Sequence, residues 1–329
     1  MQLPSETSLR AIVQRYGNLL VGLGSELGER PMVLPDGDFF PDTFLGDQPS
    51  AERLVHRMRH HAGMDDIPVE VRVLGDAEDG GSSCSSGSCS APKVQATEGL
   101  QRLVPNEASD GWILQLHPGE LRHPVALTAS VARALANIFL LETLEGGEAV
   151  EQPVEVTNDL LAVALGFGSL MLAGSYMYSK SCGGPSVQKV THLGVGELAM
   201  AFALFVARGE HDPRRAAREL GATQRELFKE ARDWVLPNKA LVRALRTQPG
   251  SLAEGHFQLS EPKPWLLRVL GIGKGRTEQD PLAGFEDLEN MASDLVPAQA
   301  KKKAATPDPQ RDELRALVDE ALTARSEAP

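Results

Sequence analysis

Two histidines at helical spacing are the first residues in this chain with the types and geometry to bind a metal. His56 and His60 are four residues apart, so on a helix both would lie on one face. Two such imidazoles can hold zinc when further ligands are close. The apolar positions of the predicted helix 51–62, which Ser50 would cap, lie on the opposite side. We therefore expect both histidines to face solvent.

The cysteines are a weaker set of candidate metal ligands. Cys84 and Cys89 lie in a Gly/Ser-rich segment, 75–98, whose composition predicts a flexible loop, and Cys182 lies in a second Gly-rich stretch. Three thiolates with His192 could hold zinc, although the spacing is looser than in most zinc sites. Surface thiols in tolerant loops are the alternative. An odd number of cysteines does not predict a disulfide framework.

Three aspartates in a glycine-containing loop could bind calcium. Asp36, Asp38 and Asp42 supply carboxylates, but their spacing and the missing distal glutamate do not fit an EF-hand. A turn stabilised by aspartate side chains is the interpretation that we favour.

The helix predicted at residues 127–144 has a face on which a metal site could stand. Arg133 and Asn137 are four residues apart, and Ala134 follows the first of them. A His-Glu-x-x-His zinc helix places two histidines and a catalytic glutamate at this spacing. None of the three residues present is a normal zinc ligand, and alanine cannot act as a base.

Several passages of the chain resemble an uncharacterised bacterial family of minimal zincin-type, metal-dependent proteins. They are GDFFPDTF at 37–44, WILQLH at 112–117, HPVALTASVARALANIFLLE at 123–142, VTNDLLAVALGFGSLMLAGSYMY at 156–178 and GVGELAMAFALFVARG at 194–209. The similarity covers roughly residues 35–235. It implies a zincin-like scaffold whose metal motif is degenerate at Arg133, Ala134 and Asn137.

The same resemblance places Asp159 where an acidic third ligand would be expected. Asp159 and Glu197 are the possible remnants of a site, and one carboxylate without its imidazoles does not make a zinc centre. We predict that Arg133 pairs with Asp159 or Glu197, so that the guanidinium replaces the metal cation. The alternative for Asp159 is a position in the first turn of a helix that Thr157 or Asn158 caps.

Composition limits the classes of function. The 329 residues carry a formal net charge of -12 and 5% aromatics, which disfavours a nucleic-acid partner. No secretory signal is recognisable at the N-terminus, so we expect a cytoplasmic protein. Residues 160–179 form a charge-free run long enough to cross a bilayer. We favour a buried core helix for this run, with membrane insertion as the alternative.

The predicted fold class is α+β, a mostly helical zincin-like domain with a small β-sheet. Residues 1–30 form an N-terminal amphipathic helix, and 31–260 form the domain. Its predicted strands are 31–34, 69–74, 99–104 and 112–117, and helices are predicted at 193–208, 212–218, from a Thr223–Glu226 capping box to 236, and 239–246. Residues 261–309 have the composition of a disordered linker, and 310–325 have the pattern of an amphipathic helix.

These features predict a catalytically inactive scaffold or regulatory protein with no cofactor. It would bind a protein partner through helix 310–325, with docking of that helix on its own domain as the alternative. The alternatives are a metal-dependent hydrolase with an atypical site that includes Asp159, and a membrane-associated protein inserted through residues 160–179.

Overall fold

A computed structural model describes residues 3–74, 102–143, 151–181 and 184–260, and it has the predicted α+β class. Most of the described residues are helical. The helices are α1 (Glu6–Gly22), α2 (Gly24–Leu27), α3 (Gln48–His61), α4 (Pro118–Leu121), α5 (Pro124–Thr143), α6 (Val154–Ala162), α7 (Gly168–Gly174), α8 (Val195–Arg208), α9 (Pro213–Arg218), α10 (Ala222–Val235), α11 (Lys239–Thr247) and α12 (Pro249–Ala253). The strands are β1 (Val69–Val73), β2 (Leu103–Asn106), β3 (Gly111–Leu116), β4 (Met177–Ser181) and β5 (Gly184–Gln188).

The predicted small sheet is present and has the order β1-β3-β2. β1 pairs with β3 in parallel, with Val69 opposite Trp112, and β2 pairs with β3 antiparallel. Leu114 and Leu116 on the central strand are fully buried, so the sheet contributes one face to the core. The expected strand at 31–34 is not formed. The backbone there makes one hydrogen bond to the interior, from Val33 N to Gly166 O at 3.0 Å.

Helix α1 confirms the predicted N-terminal amphipathic helix, and its apolar stripe packs on the protein's own core. Leu9, Ile12, Val13, Tyr16 and Leu20 are all buried. The helix packs on α12, α8 and α6. Gly17 permits the contact with α12, because a Cβ there would stand 2.8 Å from Ala253 N.

The predicted helix 51–62 begins earlier than expected. Asp47, not Ser50, is the N-cap, and Ser50 occupies the third helical position of a capping box. Pro49 in the first turn suits this start because its missing N–H costs nothing there. His56 and His60 are exposed, as predicted.

The central helix α5 runs over Pro124–Thr143 and is buried along most of its length. The apolar run after it differs from the prediction. α6 already begins at Val154, so Thr157 and Asn158 lie inside the helix and do not cap it. A π-helical turn at Val163–Phe167 interrupts the helix, and the run ends in strand β4 instead of continuing as helix to residue 179.

Glycine is required in that π-helical turn. Gly166 has φ 101°, and a Cβ there would stand 2.2 Å from Pro31 O. The absence of a side chain at Gly166 therefore allows the 31–34 segment to pack closely against the π-helical turn.

Among the residues that the structure describes, two helical segments are long and apolar enough to span a bilayer, Pro124–Thr143 and Val154–Gly174. In their most apolar windows 72% and 89% of the residues are buried inside the protein. This burial accounts for their composition as core helices, which is the interpretation that we favoured for residues 160–179.

The remaining helical predictions hold with one correction. α8, α9 and α11 lie where expected. α10 begins at Ala222 after Gly221, so Thr223 is inside the helix and no Thr223–Glu226 capping box exists. The predicted loop 75–98, the linker 261–309 and the helix 310–325 lie outside the described residues.

Candidate functional site

The face of α5 that would carry a metal motif holds a buried ion pair. Arg133 Nε donates to Asp159 Oδ1 at 2.6 Å, and Arg133 Nη1 donates to the Val190 carbonyl oxygen at 2.9 Å. The predicted Arg133–Asp159 pair is therefore confirmed. Asp159 is fully buried, and the Arg133 side chain is 14% exposed. The neighbouring position, Ala134, is buried and has no polar side-chain atom.

The second oxygen of Asp159 binds the backbone that leads into α8. His192 N and Leu193 N donate to Asp159 Oδ2 at 2.7 and 2.8 Å. Together the two side chains connect α5, α6 and the segment 190–193. A charged group that satisfies several backbone groups is a common way to fix an irregular segment inside a core.

The pKa of the Asp159 carboxyl is under opposing influences. Burial is the largest influence and raises the pKa above its ordinary value, while the Arg133 guanidinium and the N–H groups of Leu193 and His192 limit the rise. All three hydrogen-bond partners of this carboxyl are N–H donors, and none of them could accept a hydrogen bond from a protonated carboxyl group. The arrangement therefore suits the ionised carboxylate.

The residues on this face do not fit a zinc ion. Arg133 has no lone pair to offer, Ala134 has no ligand atom, and both Asp159 oxygens already accept hydrogen bonds. Asn137 is buried, and its Nδ2 has no hydrogen-bond partner among the described residues. In the part of the chain that the structure describes, no three His, Cys, Asp or Glu residues are grouped so that they could hold a metal.

Glu197 is not part of this ion pair, so the alternative pairing with Arg133 is wrong. Its Oε2 accepts from Gly194 N at 2.8 Å, which makes it the third-position member of a helix-capping arrangement at the start of α8. Its Oε1 accepts from Ser8 Oγ at 2.8 Å. Glu197 therefore joins α8 to α1 and has no arrangement suited to acid–base chemistry.

The other candidate ligands are separated or engaged elsewhere. The His192 side chain is exposed, and only its backbone N–H contacts Asp159. His60 Nδ1 lies 2.9 Å from Asp65 Oδ2. Cys84, Cys89 and Cys182 lie outside the described residues, so the cysteine hypothesis stays a prediction.

Arginines bind the three aspartates of the 35–44 loop. Arg57 Nε donates to Asp42 Oδ2 at 2.9 Å and lowers the pKa of that carboxyl. Arg215 Nη2 donates to Asp36 at 3.2 Å and to Asp38 at 2.7 Å. Asp36 Oδ1 also accepts from the N–H groups of residues 38 and 39. The turn interpretation accounts for these contacts without calcium.

A pocket of 320 Å³ lies between this loop and the beginning of α5. Its apolar lining includes Phe40, Phe44, Leu54 and Leu170. Leu45 and Val125, each next to a lining residue, are 69% and 47% exposed. The pocket therefore has an apolar interior and some apolar surface at its margin, while the charged groups Asp42 and Arg57 on its wall neutralise each other.

Comparisons with known proteins give no relative for this chain. No protein-family model, curated protein or solved structure matches it. The fold and the buried ion pair define the class only as an α+β protein with a charged cross-link in its helical core.

Proposed function

We propose that this chain is a catalytically inactive, zincin-like scaffold that acts in the cytoplasm by binding another protein. The observation that carries the proposal is the contact of Arg133 Nε with Asp159 Oδ1 at 2.6 Å, on the face where a zinc helix would hold its ligands. A fixed guanidinium supplies one positive charge to the carboxylate, as a metal cation would. It has no open coordination position and cannot activate water.

Acid–base catalysis at this position also lacks support. A general base must reach a substrate proton, directly or through one water. Asp159 is fully buried and uses both oxygens for structural hydrogen bonds. The geometry therefore favours a structural role for the ion pair over the atypical hydrolase considered as an alternative.

The binding part of the proposal rests on the C-terminal sequence. In residues 310–325 the apolar residues recur at helical spacing, at Leu314, Leu317, Val318, Ala321 and Leu322. An amphipathic helix at the end of a polar linker is a frequent ligand of hydrophobic grooves. We propose that this face is the contact with the partner.

Affinity capture with three forms of the protein tests this function. The full chain is compared with a form that ends at residue 304 and with a Leu314→Glu/Leu317→Glu variant, because charges on the apolar face prevent its burial. Only the full chain should retain a defined protein in stoichiometric amount, and all three should melt at the same temperature. Equal retention by the three forms, or no specific protein with any of them, would contradict the proposal.

A further inference from the structure

A second pocket differs from the first because two of its arginines, Arg30 and Arg208, form no ion pair among the residues that the structure describes. It has a volume of 560 Å³ and lies between the 28–31 loop, the end of α8 and the end of α11. Its charged lining consists of Arg30, Arg208, Arg246, Glu29 and Glu210, together with His211. Only one ion pair forms among them, between Arg246 and Glu210.

Arg30 and Arg208 make no ion pair with any residue that the structure describes. Arg30 Nη2 donates to the Glu26 carbonyl oxygen at 2.6 Å, and its Nε is buried without a partner. Arg208 lies beside the Tyr16 hydroxyl, and its Nε is likewise buried and unpartnered. Burial lowers the pKa of Arg30, and only the Glu26 carboxylate, which forms no ion pair with it, opposes this effect. A partly buried cation without a direct ion-pair partner is costly, so an anion in contact with these guanidinium groups would stabilise the protein.

His211 adds a third polar group to the same wall. Its ring stacks on Phe205 with centroids 5.0 Å apart, which fixes its orientation. Its Nε2 is buried and has no hydrogen-bond partner among the described groups. Burial lowers the pKa of His211, opposed by a hydrogen bond with the Arg30 backbone, so this contact also ties the histidine to the 28–31 loop.

The end of α8 does not repel an anion as an open helix C-terminus would. Free carbonyl oxygens at a helix C-terminus carry partial negative charge. Here the carbonyl oxygens of Phe205, Val206 and Ala207 all accept hydrogen bonds, from Gly209 N, His211 N and Glu210 N respectively. Arg246 Nη2 adds a further bond to Ala207 O at 2.6 Å. Donors therefore cover the negative end of the helix at the pocket.

We infer that this pocket binds a phosphate group, free or carried by a small molecule, through the guanidinium groups of Arg30 and Arg208. Guanidinium groups match the geometry of phosphate oxygens and remain charged at every relevant pH. The pocket volume of 560 Å³ lies within the range of small-molecule sites, so the pocket has room for more than a phosphate group alone. The net charge of -12 argues against a long polyanion such as RNA.

Titration of the intact protein with inorganic phosphate, followed by ³¹P NMR and by calorimetry at constant ionic strength, tests this inference. We expect saturable binding at one site with Kd of about 1 mM or tighter. Phenyl phosphate is the second ligand. Tighter binding of the ester would identify a phosphorylated small molecule as the ligand, and equal binding would identify free phosphate. Both results support the site.

Three variants that each remove one positive charge locate the binding. Arg30→Gln and Arg208→Gln should each weaken phosphate binding about tenfold or more, because each removes a charge-assisted hydrogen bond. Arg214→Gln is the matched control, since this exposed arginine lies on α9 outside the pocket, and it should change Kd less than about twofold. If Arg208→Gln does not fold, Arg30→Gln decides the question. Absence of saturable binding to the wild type, or equal effects of Arg30→Gln and Arg214→Gln, would overturn the inference.

Discussion

At the scale of single residues, the buried pair of Arg133 and Asp159 connects α5, α6 and the segment 190–193 within the core. The guanidinium and the carboxylate share four structural hydrogen bonds with each other and with the segment 190–193. A buried ion pair contributes little net stability over an apolar pair of equal shape, but it is costly to break from one side. The effects of the two residues should therefore be strongly coupled.

A double-mutant cycle measures this coupling. Arg133→Met should destabilise the fold by about 3–5 kcal/mol, because it leaves a buried carboxylate uncompensated. Asp159→Asn added to that variant should recover part of the loss, since an amide oxygen can still accept from the backbone N–H groups and carries no charge. Urea unfolding of the wild type and the three variants gives the four free energies. If the two effects add within about 0.5 kcal/mol, the residues do not act as a pair.

Tyr16 provides a prediction on pH dependence. Burial raises its pKa to about 12, with Arg208 opposing the rise. A group with a raised pKa in the folded state contributes stability that is complete below its unfolded pKa, near 10, and is lost as the pH rises toward 12. The loss over this range should be about 3 kcal/mol.

Tyr16→Phe isolates that contribution. Unfolding free energies of the wild type and the variant should run parallel from pH 7 to about 9.5 and then converge or cross as the wild type loses its extra stability. The other titrating groups are the same in both proteins, so they cancel in the difference. Curves that stay parallel to pH 11 would show that Tyr16 ionises without penalty.

At the scale of elements, close helix contacts depend on particular glycines. Gly17 on α1 faces α12, where a Cβ would stand 2.8 Å from Ala253 N and 2.9 Å from Leu252 Cβ. Gly22 is in the same helix, and nothing lies within 4 Å of the Cβ that it would carry. Alanine substitutions at these two positions therefore separate the steric effect of an added Cβ on stability from the effect of helix propensity.

Gly17→Ala should destabilise the protein by about 1–3 kcal/mol, because α12 must move away from α1. Gly22→Ala should be neutral or stabilising by up to about 1 kcal/mol, since alanine favours the helix and meets no neighbour. Thermal unfolding of both variants checks the pair. Equal melting temperatures would mean that α12 adjusts without cost and does not depend on Gly17.

Strongly periodic elements could be predicted from the sequence, and local geometry could not. The apolar stripe of α1 and the long apolar pattern of α5 were enough to predict both helices. The π-helical turn in the uncharged run after residue 160 could not be predicted. Apolar composition does not indicate the positive φ of Gly166 or the close approach of Pro31 O. Hairpin β4–β5 was missed for the same reason, since its first residues continue that run.

The candidate site was predictable only in part. Arg133 and Asp159 could be paired because each is a charge within an apolar helix, and such charges need partners. The phosphate pocket gave no sequence signal. Arg30, Arg208 and Arg246 come from distant parts of the chain, and only the packing of the 28–31 loop against α8 and α11 brings them together.

At the scale of the whole molecule, the described helices and the small sheet bury one large core, and the ion pair lies within its helical part. An active metal enzyme requires an accessible cation with an open position. The charged centre of this fold is instead engaged in structural hydrogen bonds, and we propose that the protein acts by binding a partner.

Metal content of the intact protein, purified without a metal-binding tag, tests that central claim most directly. Elemental analysis should find less than about 0.1 equivalent of zinc, with no increase after zinc is added and excess is removed. The control is the Arg133→His/Ala134→Glu/Asn137→His variant, which restores the ligand pattern on the same helix and frees Asp159 from its guanidinium. It should take up about one equivalent if the scaffold is zincin-like. About one equivalent in the wild-type protein, lost on substitution of Asp159, would contradict the account and identify a working metal site.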